Sequence, residues 1–365
     1  MLRPREAARD FAATIRPVND LVLIASDVYR AAIDMPHPLR GAPLPFLSRI
    51  ARYGAVEPLP KGWRAWLARW LGREDLASVQ PASIADVASL AIARTPEETG
   101  RQFLWLADPL HLIAGPTSVH LAPGGMLALD AATQQALAGE FDAAFSPSGY
   151  RLEPLRGGRF LARGVAPARE VQTTEPARVL GTSIVEALPA GSGAGPLRTL
   201  GAEIEMWLHE HPLNAQRVRE HRPPITALWL WGGGPPLGAA ARAASTDSPG
   251  AAVFGDDAFM EGLARLCGAH YAPAPPALPA LETGGVSRRI VALEVLRSER
   301  SSPDIDPLAA LERFERDWVA PALEQLRGGE LARLTILAND RRLSIGSRDR
   351  FRLWRRPRAA LAVLR

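Results

Sequence analysis

The stretch that most constrains this chain is EIEMWLHEHPLNAQRVREHRPPITALWLWGGG, residues 203–234. It joins a helical segment to a Pro-Pro break, a tryptophan-rich apolar run and three consecutive glycines. Two prolines stop a helix and direct the chain into extended backbone. The pattern therefore predicts a helix, a turn, a short buried strand and a glycine loop at the carboxyl end of that strand. Ligands bind at this end of the strands in an open α/β sheet.

Working outward, apolar runs alternate with helical patterns, most clearly in the second half of the chain. Strand-like runs occur at 21–25 (LVLIA), 290–296 and 334–337. This alternation predicts an α/β fold with a mostly parallel sheet flanked by helices. Residues from about 103 to 190 include a predicted hairpin with Gly157-Gly158 at its tip. We expect them to form a smaller inserted α+β subdomain within a single unit spanning 1–365.

Composition excludes several classes of protein. Of 365 residues, 47% are hydrophobic and 22% charged, which is typical of a soluble globular protein. The net charge is only +4, which argues against a nucleic-acid binder. The arginine-rich segment 348–358 (RDRFRLWRRPR) is interpreted as a solvated terminal strand and loop, with a phosphate patch as the alternative. Cys267 is the single cysteine. Apolar runs of about 18 residues and a signal-peptide core are both lacking, which predicts a cytoplasmic protein without membrane contact.

The histidines limit metal chemistry. His209 and His211 are two residues apart, so on one helix they point in nearly opposite directions and cannot chelate a single metal ion. The chain has seven histidines, and none lies beyond His270. A pair of metal-ligating histidines in the C-terminal quarter is therefore excluded.

Binding chemistry is indicated by the polar residues and glycines of the same stretch. Asn214 and Arg217 are three residues apart and share a helical face, where arginine can clamp a phosphate or carboxylate. A surface salt bridge is the alternative for this pair. Gly232–Gly234 would allow close approach of a ligand to the backbone and an anion-binding nest of amides.

A tryptophan stripe provides a third feature. Trp63, Trp66 and Trp70 follow one helical face and are interpreted as core packing, with a partner-binding face as the alternative.

Residues 208–234, LHEHPLNAQRVREHRPPITALWLWGGG, resemble the RpfE-type regulatory proteins of Gram-negative bacteria, which look like distant relatives of archaeal-type cofactor-independent phosphoglycerate mutases. ADPLHL at 107–112 is similar to an RpfE-type element, and 81–89 to the mutase segment that holds the nucleophilic serine. The resemblance implies a three-layer, alkaline phosphatase-like fold with Ser83 at the nucleophile position. The ligand-binding residues predicted from the pattern and the resemblance are Asp108, His111, His209, His211, Asn214, Arg217, Trp231, Gly232, Gly233 and Gly234.

The departures from the mutase pattern fall on its metal ligands. Pro303 stands where the mutases have the histidine of AGHDGD, and Asn339-Asp340-Arg341 stands where they have an Asp-His pair. The closing histidine has no counterpart near 347–350, and Asp27 matches the first aspartate ligand only approximately. Two-metal phosphoryl transfer needs the full set of ligands to activate the serine. The sequence therefore predicts a non-catalytic, degenerate mutase without metal or cofactor, whose role is regulation or binding of a small phosphorylated ligand.

Two alternatives stay open. The first is a phosphoglycerate mutase or phosphatase whose Mg²⁺ or Mn²⁺ site is rebuilt from oxygen ligands. Its candidate residues are Asp27, Ser83, Glu299, Asp304, Asp306 and Asp340. The second is a protein-interaction module anchored by tryptophans. The identity of the ligand is not specified by the sequence.

Overall fold

A computed structural model describes residues 19–29, 44–89, 102–243, 250–281, 286–297, 306–349 and 364. Glu299 and Asp304 of the alternative metal site, and Pro303, lie outside these residues. The strands in the described ranges are β1 (Asp20–Ala25), β2 (Ala55–Pro58), β3 (Gln102–Ala114), β4 (Val119–Met126), β5 (Arg151–Leu155), β6 (Arg159–Val165), β7 (Ala227–Gly234), β8 (Ala251–Phe254), β9 (His270–Ala272), β10 (Arg288–Leu293), β11 (Arg333–Ala338) and β12 (Arg341–Gly346).

The α-helices in the same ranges are α1 (Pro45–Tyr53), α2 (Gly62–Trp70), α3 (Pro81–Ala85), α4 (Ala131–Phe145), α5 (Ala194–His209), α6 (Pro212–Arg219), α7 (Ala239–Ala243), α8 (Ala258–Leu266), α9 (Pro307–Phe314) and α10 (Ala320–Gly328). A π-helical turn, Glu315–Val319, joins α9 to α10. None of the helices in the described parts of the chain has the length and apolar content required to span a bilayer.

The larger sheet has seven strands in the order β2-β12-β11-β1-β10-β8-β9. The five strands from β11 to β9 are parallel, and β12 and β2 add an antiparallel edge. Alternate residues of the central strand β1 contact different layers. Leu21 and Leu23 pack with α1, α9 and α10, whereas Val22 and Ile24 pack with α2 and α8. The predicted α/β fold with a mostly parallel sheet between helical layers is confirmed.

The smaller sheet has five strands and is antiparallel throughout. Its order is β4-β3-β6-β5, and β7 pairs with the remaining edge of β3. The predicted hairpin is present as β5 and β6, and both Gly157 and Gly158 adopt φ 71° at its tip. Helices α4 and α5 cover one face of this sheet. Because β7 comes from outside residues 103–190, the inserted subdomain stays a prediction.

The position of β7 corrects the interpretation of the glycine stretch. We predicted that 227–231 would be a strand of the parallel sheet, followed by a glycine loop at its ligand-facing end. That prediction is wrong, since β7 continues through Gly234 and pairs antiparallel with β3, with Trp231 opposite Leu106. The tertiary fold decides which strand an apolar run pairs with, so the residues of the run do not themselves indicate that β3 is the partner.

The tryptophan stripe on α2 divides between core and surface. Trp63 is buried and packs edge-on against Phe259 of α8, with ring centroids 5.7 Å apart. Trp66 and Trp70 are half-buried and stack on each other at 5.9 Å. Core packing therefore accounts for Trp63, and a mutual stack for the other two.

Candidate functional site

The carboxyl-end edge of the parallel strands is where a ligand site is expected in this class of fold. The carboxylates that follow those strands in the chain include Asp27 after β1, Asp257 after β8, Glu294 after β10 and Asp340 after β11. Each of them is held by an arginine or by backbone amides. The edge therefore contains a network of ion pairs and hydrogen bonds.

The centre of the network is Arg159, the first residue of β6 in the smaller sheet. Its Nε donates to Asp108 Oδ1 at 2.6 Å, its Nη1 donates to Asp257 Oδ2 at 2.8 Å, and its Nη2 contacts Glu294 Oε1. Arg159 is buried. Burial lowers the pKa of this guanidinium, but the three carboxylates outweigh that effect and raise the pKa well above its ordinary value. The cation is therefore permanent, and it links the two sheets.

Asp108 and Trp231, two predicted ligand residues, are brought together by this network. Trp231 Nε1 donates to Asp108 Oδ2 at 2.5 Å, while the other oxygen of Asp108 binds Arg159. Asp257 also has a second role, because its Oδ1 accepts the amide protons of Phe259 and Met260 at the start of α8. Both carboxylates are buried and hydrogen-bonded within the protein.

Asp27, the candidate first metal ligand, fastens the loop that follows β10. Its carboxylate accepts the amide protons of Val295, Leu296 and Arg297 at 2.7, 2.7 and 2.9 Å. Burial raises the pKa of Asp27 to about 7; the charge of Glu294 adds to the increase, and the amide hydrogen bonds oppose it. The oxygens that would hold a metal ion are thus used to close a backbone loop.

A second arginine cluster lies beside the first. Arg64 Nη2 binds Glu175 Oε1 at 2.7 Å, and Tyr29 donates its hydroxyl proton to the other oxygen of Glu175 at 2.8 Å. Arg178 holds Asp340 with two hydrogen bonds of 2.6 and 3.0 Å. Among the residues that the structure describes, no group of three or more His, Cys, Asp or Glu side chains is arranged to hold a metal ion. The described residues of this edge do not fit the metal pair that the mutase resemblance implies.

Ser83, which the mutase resemblance assigns to the nucleophile position, lies on the short helix α3 and is buried. Its Oγ donates to the carbonyl oxygen of Pro235 at 2.6 Å, just beyond the end of β7. A Cβ atom on Gly234 would come within 2.6 Å of this hydroxyl. Gly234 therefore provides the space in which Ser83 packs, and the serine hydroxyl is used in a structural hydrogen bond.

The other two glycines of the triplet also allow close packing. A Cβ atom on Gly233 would lie 2.1 Å from Cε3 of Trp105, so a side chain there would collide with the indole ring. Gly232 has φ 60°, a conformation that favours glycine, and its amide donates to Thr173 Oγ1 at 3.1 Å. These contacts explain the glycines by packing within the smaller sheet.

The two neighbouring histidines differ in environment. His209, in the last turn of α5, is exposed. His211 is buried at the N-cap of α6, where its Nδ1 accepts the amide proton of Leu213 at 3.2 Å. With Nδ1 as an acceptor, a neutral ring has its proton on Nε2, which lies 2.9 Å from Glu140 Oε2 but makes no hydrogen bond in the described structure. The geometry supports a capping role for His211.

Asn214 joins three segments. Its Nδ2 donates to the carbonyl oxygens of Leu208 and Ile225, both at 2.7 Å. Its Oδ1 accepts the amide proton of Ile225 at 2.8 Å. All three polar functions of this buried amide are therefore used to tie α5 and α6 to the start of β7.

Arg217 and His111 lie on either side of the Pro223-Pro224 break. Arg217 Nε donates to the carbonyl oxygen of Pro223 at 2.8 Å, and His111 Nδ1 lies 3.0 Å from that of Pro224. Arg217 is 1% exposed, yet its Nη1 and Nη2 have no hydrogen-bond partner in the described structure.

The electrostatics of this pair reflect burial. Burial, reinforced by the charge of Arg222, lowers the pKa of Arg217 to about 10, so it stays charged at neutral pH. Burial also lowers the pKa of His111; the Pro224 hydrogen bond opposes the decrease, and the charge of Arg217 adds to it. Of the predicted ligand residues, Arg217 thus keeps buried donors without a partner.

The sequence analysis missed Arg64, Arg159 and Arg178. Arg159 follows Gly157-Gly158 directly, and nothing in that hairpin marks it as functional. Its partners Asp108 and Asp257 are 51 and 98 residues away in the chain. Only folding brings these charges together.

Sequence comparison relates part of the chain to known proteins. No protein-family model matches the chain. The 2,3-bisphosphoglycerate-independent phosphoglycerate mutase of Methanothrix thermoacetophila is 28% identical over 184 residues, which are 46% of this chain and 47% of that protein. The mutase of Methanosarcina barkeri is 26% identical over 172 residues, 43% of each chain. The chain is related to phosphoglycerate mutases.

The alignments cover only part of each protein. A probable mutase of Geobacter sulfurreducens is 39% identical over 59 residues, 16% of this chain and 15% of that protein. The chain thus matches less than half the length of these curated relatives.

Two solved structures align along most of the chain. One is the cofactor-independent phosphoglycerate mutase from Thermoplasma acidophilum, with a TM-score of 0.35 and 15% identity over 90% of this chain and 88% of that one. The other is the PH0037 protein from Pyrococcus horikoshii, with a TM-score of 0.43 and 13% identity over the same shares. The mutase relation predicted from the sequence is confirmed by the Methanothrix and Methanosarcina alignments, and the narrower RpfE-type assignment stays a prediction.

Proposed function

We propose that this chain is a degenerate phosphoglycerate mutase-like protein that no longer transfers phosphoryl groups and acts in regulation by binding a small phosphorylated ligand. The observation that supports the loss of catalysis is the position of Arg159. Its guanidinium lies among Asp108, Asp257 and Glu294 at the edge where the parallel strands end.

The electrostatic argument is direct. A two-metal mechanism places two cations about 3.5–4 Å apart among carboxylate and imidazole ligands. Here a buried guanidinium already pairs with all three carboxylates and lies between them. A divalent cation at this place would have to displace Arg159 or accept repulsion from it at short range.

The alternative, a rebuilt carboxylate metal site, has less support. Asp27 is bound to three amides, and Asp340 is bound to Arg178. Asp306 caps α9 through the amides of Leu308 and Ala309. With the hydroxyl of Ser83 bound to Pro235 as well, every described residue of that set has a structural partner.

Catalysis is tested by a coupled phosphoglycerate mutase assay on protein stripped with EDTA and reloaded with Mn²⁺, Mg²⁺ or Zn²⁺. We expect the wild type to give no more turnover than Ser83→Ala under any of these conditions. Metal-dependent turnover in the wild type that disappears in Ser83→Ala would overturn the proposal.

The ligand-binding half of the proposal is supported by Arg217. A buried cation with two unpaired donors is costly, whereas a phosphate oxygen pair suits the Nη1 and Nη2 groups in a bidentate geometry. His111, which lies across the Pro-Pro break, provides a neighbouring ring for orientation.

A thermal-shift titration with 3-phosphoglycerate and inorganic phosphate tests this site. We expect stabilisation of the wild type and of the exposed-neighbour control Arg219→Gln, and none of Arg217→Gln. Arg217→Lys, which keeps a charge but not the fork, serves as a second variant in case Arg217→Gln folds poorly. Equal stabilisation of the wild type and both Arg217 variants would contradict the assignment, as would no stabilisation of the wild type.

A further inference from the structure

A polar cavity of about 300 Å³ lies at the other end of the parallel sheet, away from the Arg159 network. It is lined by the first residues of β11, the outward face of β12, the edge strand β2 and the turn 346–349. The volume is at the lower end of the range for small-molecule sites.

Three arginines line this cavity. Arg342 is bound to Glu57 at 2.5 Å and lies over the ring of Trp66 at 5.8 Å. Arg333 donates to Ser344 Oγ at a long 3.3 Å, and both Arg333 and Arg348 are exposed. Within the described ranges, neither Arg333 nor Arg348 has a carboxylate at ion-pair distance.

The acidic groups near the cavity have other partners. Glu57 holds Arg342, and Asp349 Oδ2 accepts the amide proton of Gly346 at 2.8 Å, which shapes the turn. Asp20 is opposite Arg333 in the sheet register and partly offsets its charge. The guanidinium of Arg348 has no such neighbour in the ion pairs of the described chain.

A second, smaller hollow shares Gly346 and Ser347 with the cavity and adds Arg49 and Arg327 to the same region. Both are exposed and are not in an ion pair within the part of the chain that the structure describes. Five arginines therefore lie around this turn against three carboxylates, Glu57, Asp349 and Asp20, and the excess of positive charge favours anions.

From this arrangement we propose that the cavity between β11, β12 and β2 binds the phosphate group of a small molecule. Arg333 and Arg348 contact the phosphate oxygens, and the hydroxyls of Ser344 and Ser347 add neutral donors. Arg342, which is held by Glu57 and Trp66, lines a third side of the cavity. The site is separate from Arg217 and does not depend on the proposed function.

Isothermal titration with inorganic phosphate, pyrophosphate and ADP tests the site at low ionic strength. We expect Arg333→Gln and Arg348→Gln each to weaken binding of pyrophosphate by about tenfold or more, the usual effect of losing a charge-assisted hydrogen bond. Added salt at about 0.5 M should weaken it in the wild type, because the arginines are exposed. If ADP binds more tightly than pyrophosphate, the ligand of this cavity is a nucleotide. If pyrophosphate binds more tightly, the ligand is a free phosphate compound.

The controls separate this site from general charge effects. Arg313→Gln removes an exposed arginine of α9 outside the cavity lining and should bind pyrophosphate like the wild type. Arg217→Gln should also keep this binding, so failure of one site is distinguishable from failure of the other. The proposal is overturned if the wild type does not bind pyrophosphate, if Arg333→Gln and Arg348→Gln bind it with unchanged affinity, or if Arg313→Gln loses as much.

Discussion

Replacing Arg159 with methionine removes the one cation that contacts Asp108, Asp257 and Glu294 together, while it keeps a side chain of similar length. Arg159, Asp108 and Asp257 are each less than 10% exposed, and Glu294 is 20% exposed at its side chain. The variant therefore leaves three nearby carboxylates without their shared counter-charge. We expect it to fold with reduced stability and to gain an affinity for divalent cations that the wild type lacks.

The expected decrease in the free energy of unfolding depends on the hydrogen-bond and ion-pair partners that the three carboxylates keep in Arg159→Met. Asp108 keeps Trp231, Asp257 keeps the amides of α8, and Glu294 keeps Arg297 at 3.0 Å. The cost is therefore that of breaking one buried ion pair, about 3–5 kcal/mol, and not a multiple of it. With an unfolding entropy of about 2 cal/mol/K per residue, this corresponds to a decrease in Tm of about 5 °C.

The assay is urea unfolding followed by tryptophan fluorescence, with and without Mn²⁺ or Ca²⁺. Carboxylate oxygens suit these cations, so the metal should restore about 2.7 kcal/mol to Arg159→Met when present at about 100 times its Kd. Arg151→Met, an exposed substitution on the neighbouring strand β5, is the matched control. It should change the free energy of unfolding by less than about 0.5 kcal/mol and show no response to metal.

Two results would refute the reasoning. If Arg159→Met unfolds at the same urea concentration as Arg151→Met, the guanidinium is not the element that neutralises this edge. If Mn²⁺ stabilises the wild type as much as Arg159→Met, the carboxylates are accessible to metal despite Arg159, and the non-catalytic proposal loses its main support.

Three further outcomes are expected. The pKa of Asp27 is raised from 3.8 to about 7 in the folded protein. The protonated carboxyl therefore contributes up to about 4 kcal/mol to the free energy of unfolding at low pH, and this contribution is lost as the pH rises from about 4 to about 7. Urea unfolding of Asp27→Asn across this range should lack that decrease in the free energy of unfolding. Asn214→Ala should lower the free energy of unfolding by about 3 kcal/mol, because the backbone groups of Leu208 and Ile225 lose buried partners; an effect below about 1 kcal/mol would exclude the clamp. Gly233→Ala should cost about 1–3 kcal/mol and change the near-UV circular dichroism of Trp105, since the new methyl group collides with the indole; an unchanged spectrum would contradict the contact.

Much of the fold could be predicted from local patterns. The run at 21–25 is continuously apolar because β1 is buried on both faces of the larger sheet, as parallel strands are. The Gly157-Gly158 pair correctly located the hairpin of β5 and β6, because positive φ angles at the tip favour glycine. These features depend on each residue and its near neighbours, so the sequence alone carries them.

The predicted ligand-binding residues stay a prediction, and the structure shows which contacts they make within the protein. Asn214 and His211 had the right chemistry for a ligand, but their polar atoms serve hydrogen bonds that tie α5, α6 and β7 together. The glycines after the tryptophans were interpreted as a loop, and they are part of a strand against Trp105 and Ser83. The periodicity of apolar residues indicates on which face of a helix or strand a residue lies. It does not indicate which residue of another segment that side chain contacts.

The sequence by itself determined that no histidine lies between residues 271 and 365, the region in which the mutase resemblance implies imidazole ligands. It also determined the apolar strands that build a parallel sheet. Only the tertiary structure decided that Arg159, from the smaller sheet, lies among carboxylates at the end of the larger one. The physical reason is that the buried charge of Arg159 is stabilised by the opposite charges around it. Asp108 and Asp257 are 51 and 98 residues away from Arg159 in the chain, so they contact it only after folding.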